Sequence, residues 1–411
     1  MMRMSSCVRR PWTSPWPISP AAPVNSTVLR LASDVIRRCL LSPHCTHDHP
    51  FGGRLLGCCS MDLPIIDSVA QSPLQYTCRE WEERCREAGR SAQSARTEWV
   101  DCFRRGALPE AAARSTSIRS VSSGDGTTKF LIRLPDNHET ESVILPLTGK
   151  GGRVRNTLCV SSQVGCAMGC RFCETAQMGL IRNLSVAEIL LQWHVATHHF
   201  KQEIRNIVFM GMGEPLDNVE AVIGAIRILT DRRGPSLASR RISISTVGRI
   251  DGIRTLSAFL TDSGTRNLRL AVSVNAADDE TRSSIMPLNR SMNMGKLRDA
   301  LADWSTTHGG TLLLEYVLIP GVNDDPTSAA RLAEWVGDLP ARINLIPYNP
   351  RRDSPWPAPD EDRVDSFLRT MQEAGLTVHR RVTQGRSLMA ACGQLGNEHI
   401  RNRRRVSPEL G

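Results

Sequence analysis

No stretch of eighteen apolar residues occurs in the chain, which excludes a transmembrane helix. No basic start leads into an apolar run with a small-residue cleavage site, so no secretory signal peptide is expected. A zinc knuckle wants four ligands, commonly as two C-x2-C pairs, and no second C-x2-C exists. His194 and His198 stand four apart on a helical segment and could pair on zinc, but packing accounts for them better. Regular cysteine spacing is also missing. Thirteen cysteines scattered over 411 residues do not describe a secreted disulfide framework, and a set of reduced thiols suits the cytoplasm. Negative charge is in deficit: 42 acidic against 51 basic residues leave +9, which favours a polyanionic partner without identifying one.

What is present centres on Cys166, Cys170 and Cys173, a C-x3-C-x2-C triplet in a loop containing Gly165 and Gly169. Three thiolates this close can wrap one face of an iron–sulfur cube, one ligand short of a protein-saturated 4Fe–4S cluster. An iron left without a protein ligand can bind the amino and carboxylate groups of S-adenosylmethionine (SAM). The spacing, with Phe172 before the last cysteine, resembles the signature of the radical-SAM superfamily.

Residues 1–60 carry Pro11, Pro15, Pro17, Pro20 and Pro23 and a cysteine tract without metal spacing. They are expected to be disordered or to precede the true start, with Met61 as that start. Residues 61–120 read as a small helical accessory module, with two helices joined by Gly89. Residues 121–150 read as a β-hairpin turning at Asp136-Asn137. Apolar strand patterns follow at 157–161, 206–210, 241–246, 268–274, 311–319 and 342–347. Helical patterns alternate with them at 186–199, 219–231, 253–262, 294–307, 327–337 and 361–374. Such alternation argues for a parallel sheet with right-handed crossovers. Six units are too few for a closed eight-fold barrel. The superfamily resemblance implies an open partial (β/α)6 TIM-type barrel over residues 151–397, with its catalytic face at the strand C-terminal ends. A basic tail occupies 398–411.

Short motifs fall at those strand ends. Met210-Gly-Met-Gly-Glu-Pro215 offers two glycines for close backbone approach to a ligand, and Glu214 to accept from an amino group. Ser245, Ser273 and Asn275 suit hydrogen bonds to a carboxylate and a ribose, or serve as ordinary strand-end caps. Asn349 could pair with an adenine edge. Cys392, between small residues in a Gly-containing loop, is either an accessible thiol or a small core residue.

Taken in order, Leu158-Cys-Val-Ser-Ser-Gln-Val-Gly-Cys166, the triplet, Gly211-Met-Gly-Glu-Pro215, Ser245-Thr246, Met286-Pro-Leu-Asn289 and Ala390-Ala-Cys-Gly-Gln-Leu395 resemble the RlmN/Cfr family of radical-SAM RNA adenine methyltransferases over roughly residues 125–397. The resemblance implies a 4Fe–4S cluster on Cys166, Cys170 and Cys173. It implies SAM contacts from Gly213, Glu214, Ser245, Ser273, Val274, Asn275 and Asn349. It implies that Cys392 takes a methyl group from SAM, that a SAM-derived radical activates this methyl for addition to adenine, that Glu141 removes a proton, and that Cys159 releases the product by forming a disulfide with Cys392. Relatives usually read Ser-Leu-His where this chain has Ser273-Val-Asn275, and Asn cannot titrate.

The activity so implied is methylation of adenine carbon 2 in 23S rRNA and tRNA, with an electron donor such as flavodoxin or ferredoxin. Carbon 8 methylation, and a non-catalytic RNA-binding or ribosome-assembly role on this scaffold, stay open as rivals. Arg351, Arg352, Arg380, Arg381 and the tail arginines can neutralise phosphates.

Overall fold

The computed structural model describes residues 71–109, 117–149 and 151–396, all within one unit, Asp62–Gly411. The tract at 1–60 and the basic tail at 398–411 lie outside the described residues. The described part opens with two helices, α1 (Cys78–Glu87) and α2 (Ala92–Arg105). Thr77 and Glu80 form a reciprocal capping box on α1, and Ser91 caps α2. Gly106 ends α2 in the left-handed region at φ 78°, where glycine carries no Cβ penalty. Trp99, Cys102 and Phe103 are buried, and the Phe103 ring lies 6.0 Å from that of Trp193 on helix α4 (Val186–His194).

Helix α4 does not continue evenly to residue 199, as its apolar pattern suggests. Its last turn widens to a π-type turn over Val195–His199. There His198 Nε2 meets the Phe103 carbonyl at 3.1 Å, fixing the helical module to the barrel. Burial pushes His194 down to about 3, so it stays neutral. The histidine pair therefore packs a joint.

Strands β1 (Ser117–Ser122), β2 (Thr128–Arg133) and β3 (Glu139–Thr148) form an antiparallel meander, and β3 pairs antiparallel with β4 (Val154–Cys159). The hairpin is thus built into the main sheet. A two-stranded ribbon, β5 (Gln163–Val164) and β6 (Arg182–Asn183), interrupts the order. From β4 the sheet continues in parallel through β7 (Ile204–Phe209), β8 (Ile242–Thr246), β9 (Arg269–Ser273), β10 (Leu312–Leu318), β11 (Ala341–Pro347) and β12 (Val378–Arg380). Alternating with them are the very short α3 (Glu174–Gln177), then α4, α5 (Val219–Thr230), α6 (Ile250–Ser263), α7 (Asp279–Ile285), α8 (Met294–His308), α9 (Pro326–Val336) and α10 (Glu361–Glu373). The expected open partial barrel forms, with β12 as an edge strand of three residues, too short to leave a pattern.

Period-2 alternation separates its two faces. Ile242 and Ile244, Leu270 and Val272, Leu312 and Leu314, and Ile343 and Leu345 bury themselves in the main core. The intervening Ser243, Ser245, Arg269, Ser273, Glu315 and Asn344 line cavities instead. Small and polar side chains in the lumen leave the barrel hollow.

Candidate functional site

The loop after β4 is shaped before it can hold anything. Gly165, at φ 76°, passes so close to the Gly179 carbonyl that a Cβ would strike it, while Cys166 N–H donates to that carbonyl at 3.1 Å. Arg171 N–H donates to the Ile285 carbonyl at 2.9 Å, and Cys173 N–H to the Cys170 carbonyl at 3.1 Å. Cys166, Cys170 and Cys173 thereby line one cavity of ≈ 1000 Å³ at the strand C-terminal ends. Burial raises all three thiols, and each is further affected by its neighbours.

Among the described residues no three His, Cys, Asp or Glu side chains stand close enough to share one metal ion. Zn–S bonds of about 2.3 Å would demand that closeness. A cube places each thiolate on a different iron and tolerates wider spacing, so the donor set fits a cluster better than a single ion.

Glu214 lines the same cavity, almost wholly buried. Its carboxylate accepts from Leu216 N–H at 3.1 Å and Val247 N–H at 2.9 Å. Burial pushes it up to about 7 despite those donors. A buried carboxylate held only by neutral donors is the arrangement an ammonium group completes.

The glycines beside it also serve a second purpose. A Cβ on Gly211 would sit 2.6 Å from Ser161 Oγ, and one on Gly213 2.5 Å from Gln163 Cβ. They make room for the segment from Val160 to Gln163, and both also border the cavity.

Ser245, Ser273, Asn275 and Asn349 all line this cavity, but Val274 does not: its side chain is in the core. Asn275 adopts φ 57°, a region Asn tolerates well. Its Oδ1 accepts from Val317 N–H at 2.8 Å and its Nδ2 meets Met286 Sδ at 3.3 Å, so its polar groups are turned to the protein. Below it Arg282 is fully buried. Its guanidinium donates to the carbonyls of Val274, Val247 and Ser273 and to Asn289 Oδ1, tying together the ends of β8 and β9. This explains the Met286-Pro-Leu-Asn289 motif as a clamp. Burial lowers Arg282 to about 10, which leaves it a cation beside Cys170.

Cys392 is half-exposed and faces the same cavity as the triplet. Its loop is anchored on both sides. Glu174 N–H donates to the Gly393 carbonyl at 2.7 Å, and Thr175 Oγ1 to the Leu395 carbonyl at 2.5 Å. Gly396 N–H donates to Glu141 Oε2 at 3.0 Å, Lys129 Nζ to the Met389 carbonyl at 3.2 Å, and Gly385 N–H to Asp125 Oδ2 at 3.0 Å. The meander strands thus hold the cysteine loop from behind. Glu141 is buried in an ion pair with Lys129 at 2.9 Å and does not line the cavity. Cys159 is buried with Val143, Met212 and Ala390, within electrostatic reach of Cys392. Burial, and then the Cys392 neighbour, push the Cys159 thiol up to about 12.

Two further residues complete the site. Glu315 lines the cavity, accepts from Ser245 Oγ at 2.9 Å and faces Arg381 at 3.5 Å. Arg381 is raised chiefly by Cys392 and also by Glu315 and Cys159, which puts a cation among all three. A lone acid inside the apolar run of β10 was the available signal for Glu315. For the placement of Arg381 beside the thiols there was none.

The chain resembles known proteins over most of its length. Residues 160–333 match the Radical SAM superfamily. A probable dual-specificity RNA methyltransferase RlmN 1 from Protochlamydia amoebophila is 39% identical over 84% of this chain and 98% of its own length. A dual-specificity RNA methyltransferase RlmN from Geotalea uraniireducens is 42% identical over 66% of this chain and 76% of its own. The crystal structure of a radical SAM methyltransferase from Sphaerobacter thermophilus superposes with TM-score 0.72 at 35% identity, covering 78% of this chain and 98% of that one.

Proposed function

The chain belongs to the RlmN family of radical SAM RNA methyltransferases, and from that premise we propose that it methylates carbon 2 of an adenine in 23S rRNA and in tRNA. The observation that carries the proposal is one cavity lined by the three triplet thiols, by Glu214 and by Cys392. Ordinary methyl transfer cannot serve carbon 2, which lies between two ring nitrogens and is electron-poor. A second thiol and a cluster in one cavity supply an alternative.

The radical SAM family uses a 4Fe–4S cluster with SAM; together, when bound, they supply the methyl group and the one-electron chemistry that activates it. Cys166, Cys170 and Cys173 hold the cluster. Glu214 receives the SAM amino group, and Ser245, Ser273 and Asn349 border its carboxylate and nucleoside. Gly213, Val274 and Asn275 contribute backbone and shape, since the Val274 side chain lies in the core and the Asn275 polar groups face the protein.

Cys392 Sγ accepts the methyl and holds its carbon while that carbon is joined to adenine. Glu141 takes the proton lost from carbon 2, which requires its pair with Lys129 to open. Cys159 Sγ then attacks Cys392 Sγ. The Cys392 sulfur–carbon bond breaks, the departing carbon keeps the bonding pair and takes a proton to become the methyl group, and a disulfide remains. Burial raises the Cys159 thiol to about 12, which disfavours the thiolate that disulfide formation needs.

Reduced thiols suit a cytoplasmic enzyme, and flavodoxin or ferredoxin is the electron source this reading implies. Mass spectrometry of RNA nucleosides from cells with and without the protein tests the proposal. We expect 2-methyladenosine to disappear with the protein. Loss of 8-methyladenosine instead, or no change in any methyladenosine, would contradict it.

A further inference from the structure

A second cavity, of ≈ 1720 Å³, fills the hollow barrel on the other side of Cys392. Cys392, Met210, Ile346 and Asn349 border both cavities, so the two meet at the methyl-carrying thiol. The charge of this lumen is one-sided. Arg241, Arg269, Arg380 and Arg381 line it, and no carboxylate does. Arg380 is paired with Glu361 and Asp365, and Arg381 with Glu315. Arg241 and Arg269 pair with no carboxylate among the described residues.

Register explains why these guanidinium groups gather. Consecutive parallel strands β4, β7, β8 and β9 all begin at the same end of the barrel. Arg155 lies at the start of β4, Arg205 at that of β7, Arg240 and Arg241 just before β8, and Arg269 opens β9 opposite Ser243. Arg241 donates to Asn206 Oδ1 at 3.2 Å, and Asn206 Nδ2 to Thr157 Oγ1 at 3.1 Å, which orients the group at the lumen wall. Burial and then the like charges of Arg155, Arg240, Arg205 and Arg269 hold Arg241 below the usual arginine value. Of the five, Arg205 meets a carboxylate, Glu203, at 2.6 Å. Guanidinium groups serving packing are normally neutralised by acids. Arg241 and Arg269, left without an acid at the mouth of the lumen, suit an anion, and the guanidinium fork matches phosphate.

We propose that this arginine-rimmed mouth holds backbone phosphates of the single-stranded RNA segment that carries the target adenine, whose base then extends along the lumen to Cys392. The proposal rests on the RNA methyltransferase reading above. Along β7, Asn206 to Met210 spans four residues, about 13 Å at strand rise. Asn206 holds Arg241 at the mouth and Met210 borders both cavities with Cys392, so a lumen of this length suits one unstacked nucleotide. The lumen is lined there by Thr157, Asn206, Ser243 and Asn344, which are small or neutral polar groups that admit a base. SAM and the adenine would thus approach Cys392 from opposite cavities.

The test uses full-chain protein and a fluorescently labelled single-stranded oligoribonucleotide containing adenine, with binding followed by anisotropy over a salt series. Arg241→Gln together with Arg269→Gln should weaken binding about tenfold or more at 0.1 M salt. Two lost phosphate contacts should reduce the slope of log K against log salt by about 1.4. Arg241→Lys with Arg269→Lys should retain the wild-type slope, which separates charge from folding, and SAM binding should be unchanged in both. Unchanged affinity and slope in the glutamine variant, while the wild type methylates RNA, overturns this inference alone. A wild type that methylates no RNA overturns the reading beneath it. A glutamine variant that binds RNA normally but is no longer reduced by flavodoxin would assign this face to an acidic protein, and also overturns the inference.

Discussion

The two cavities of the barrel are built from the same strands with opposite charge. At the strand C-terminal ends the acidic groups are carboxylates and thiols: Glu214, Glu315, the triplet and Cys392. In the lumen the charged groups are guanidiniums, with no carboxylate. A cation such as an ammonium or sulfonium is favoured in the first and a phosphate in the second. Specificity for two unlike substrates thus follows from which strand positions face inward and how far along each strand they lie. Cys392 sits where the two environments meet.

The sharpest way to break this comparison is to remove the first environment and leave the second intact. Cys170→Ala should abolish cluster assembly, read as loss of iron, sulfide and visible absorbance after anaerobic reconstitution, with methylation undetectable. Oligoribonucleotide binding should remain near wild type. A variant that keeps its cluster would show that the triplet does not act as a set.

Next in size is Glu214→Gln. Losing a buried carboxylate beside an ammonium should weaken SAM binding roughly tenfold to a hundredfold, measured by calorimetry, with RNA affinity unaffected. Equal loss for both ligands would mean that the cavities are not independent.

The same residue gives a pH effect of known sign. Burial raises Glu214 to about 7 from 4.5, so the folded state holds its proton more tightly than the unfolded chain. Stability of the ligand-free protein should therefore fall as pH rises from about 4.5 to 7, by about 3 kcal/mol, and change no further above that. Chemical denaturation of wild type and Glu214→Gln should show this slope in the first and its loss in the second. A parallel pair of curves would remove Glu214 as the source.

The smallest effect expected lies away from both cavities. Gly106→Ala forces a Cβ into the left-handed region and against the His198 ring. It should cost about 2 kcal/mol and lower the melting temperature while sparing methylation. Full loss of activity would give the helical module a direct part in the site.

Much of this was legible in the chain itself. Strand positions such as Ile-Ser-Ile-Ser in β8 announce one apolar and one polar face, and capping residues such as Ser185 and Asp360 mark where helices begin. The triplet could be read because three thiols at short spacing have few alternative uses, whereas Cys392 was read only through the family resemblance of its motif. Other features depend on contacts between distant segments. Strand β1, Ser-Ile-Arg-Ser-Val-Ser, is mostly exposed and held as an edge by β2, so no apolar alternation marks it. Gly211 and Gly213 suggested ligand approach and both border the cavity, but nothing in the sequence showed that the segment from Val160 to Gln163 also occupies the space their side chains would take. Val274 belongs to the core by strand alternation, which a strand-end motif conceals. The unpaired arginines were invisible one by one, because their meaning lies in four strands starting at one mouth.

The central claim is that Cys392 carries the methyl carbon and Cys159 only releases it. Its most direct measurement is peptide mass spectrometry of Cys159→Ala protein after turnover with RNA and nuclease digestion. A Cys392 peptide bearing a methylene-linked adenine is expected, absent from the wild type and from Cys392→Ala. Normal turnover by Cys159→Ala with no adduct, or methylated RNA from Cys392→Ala, would contradict it.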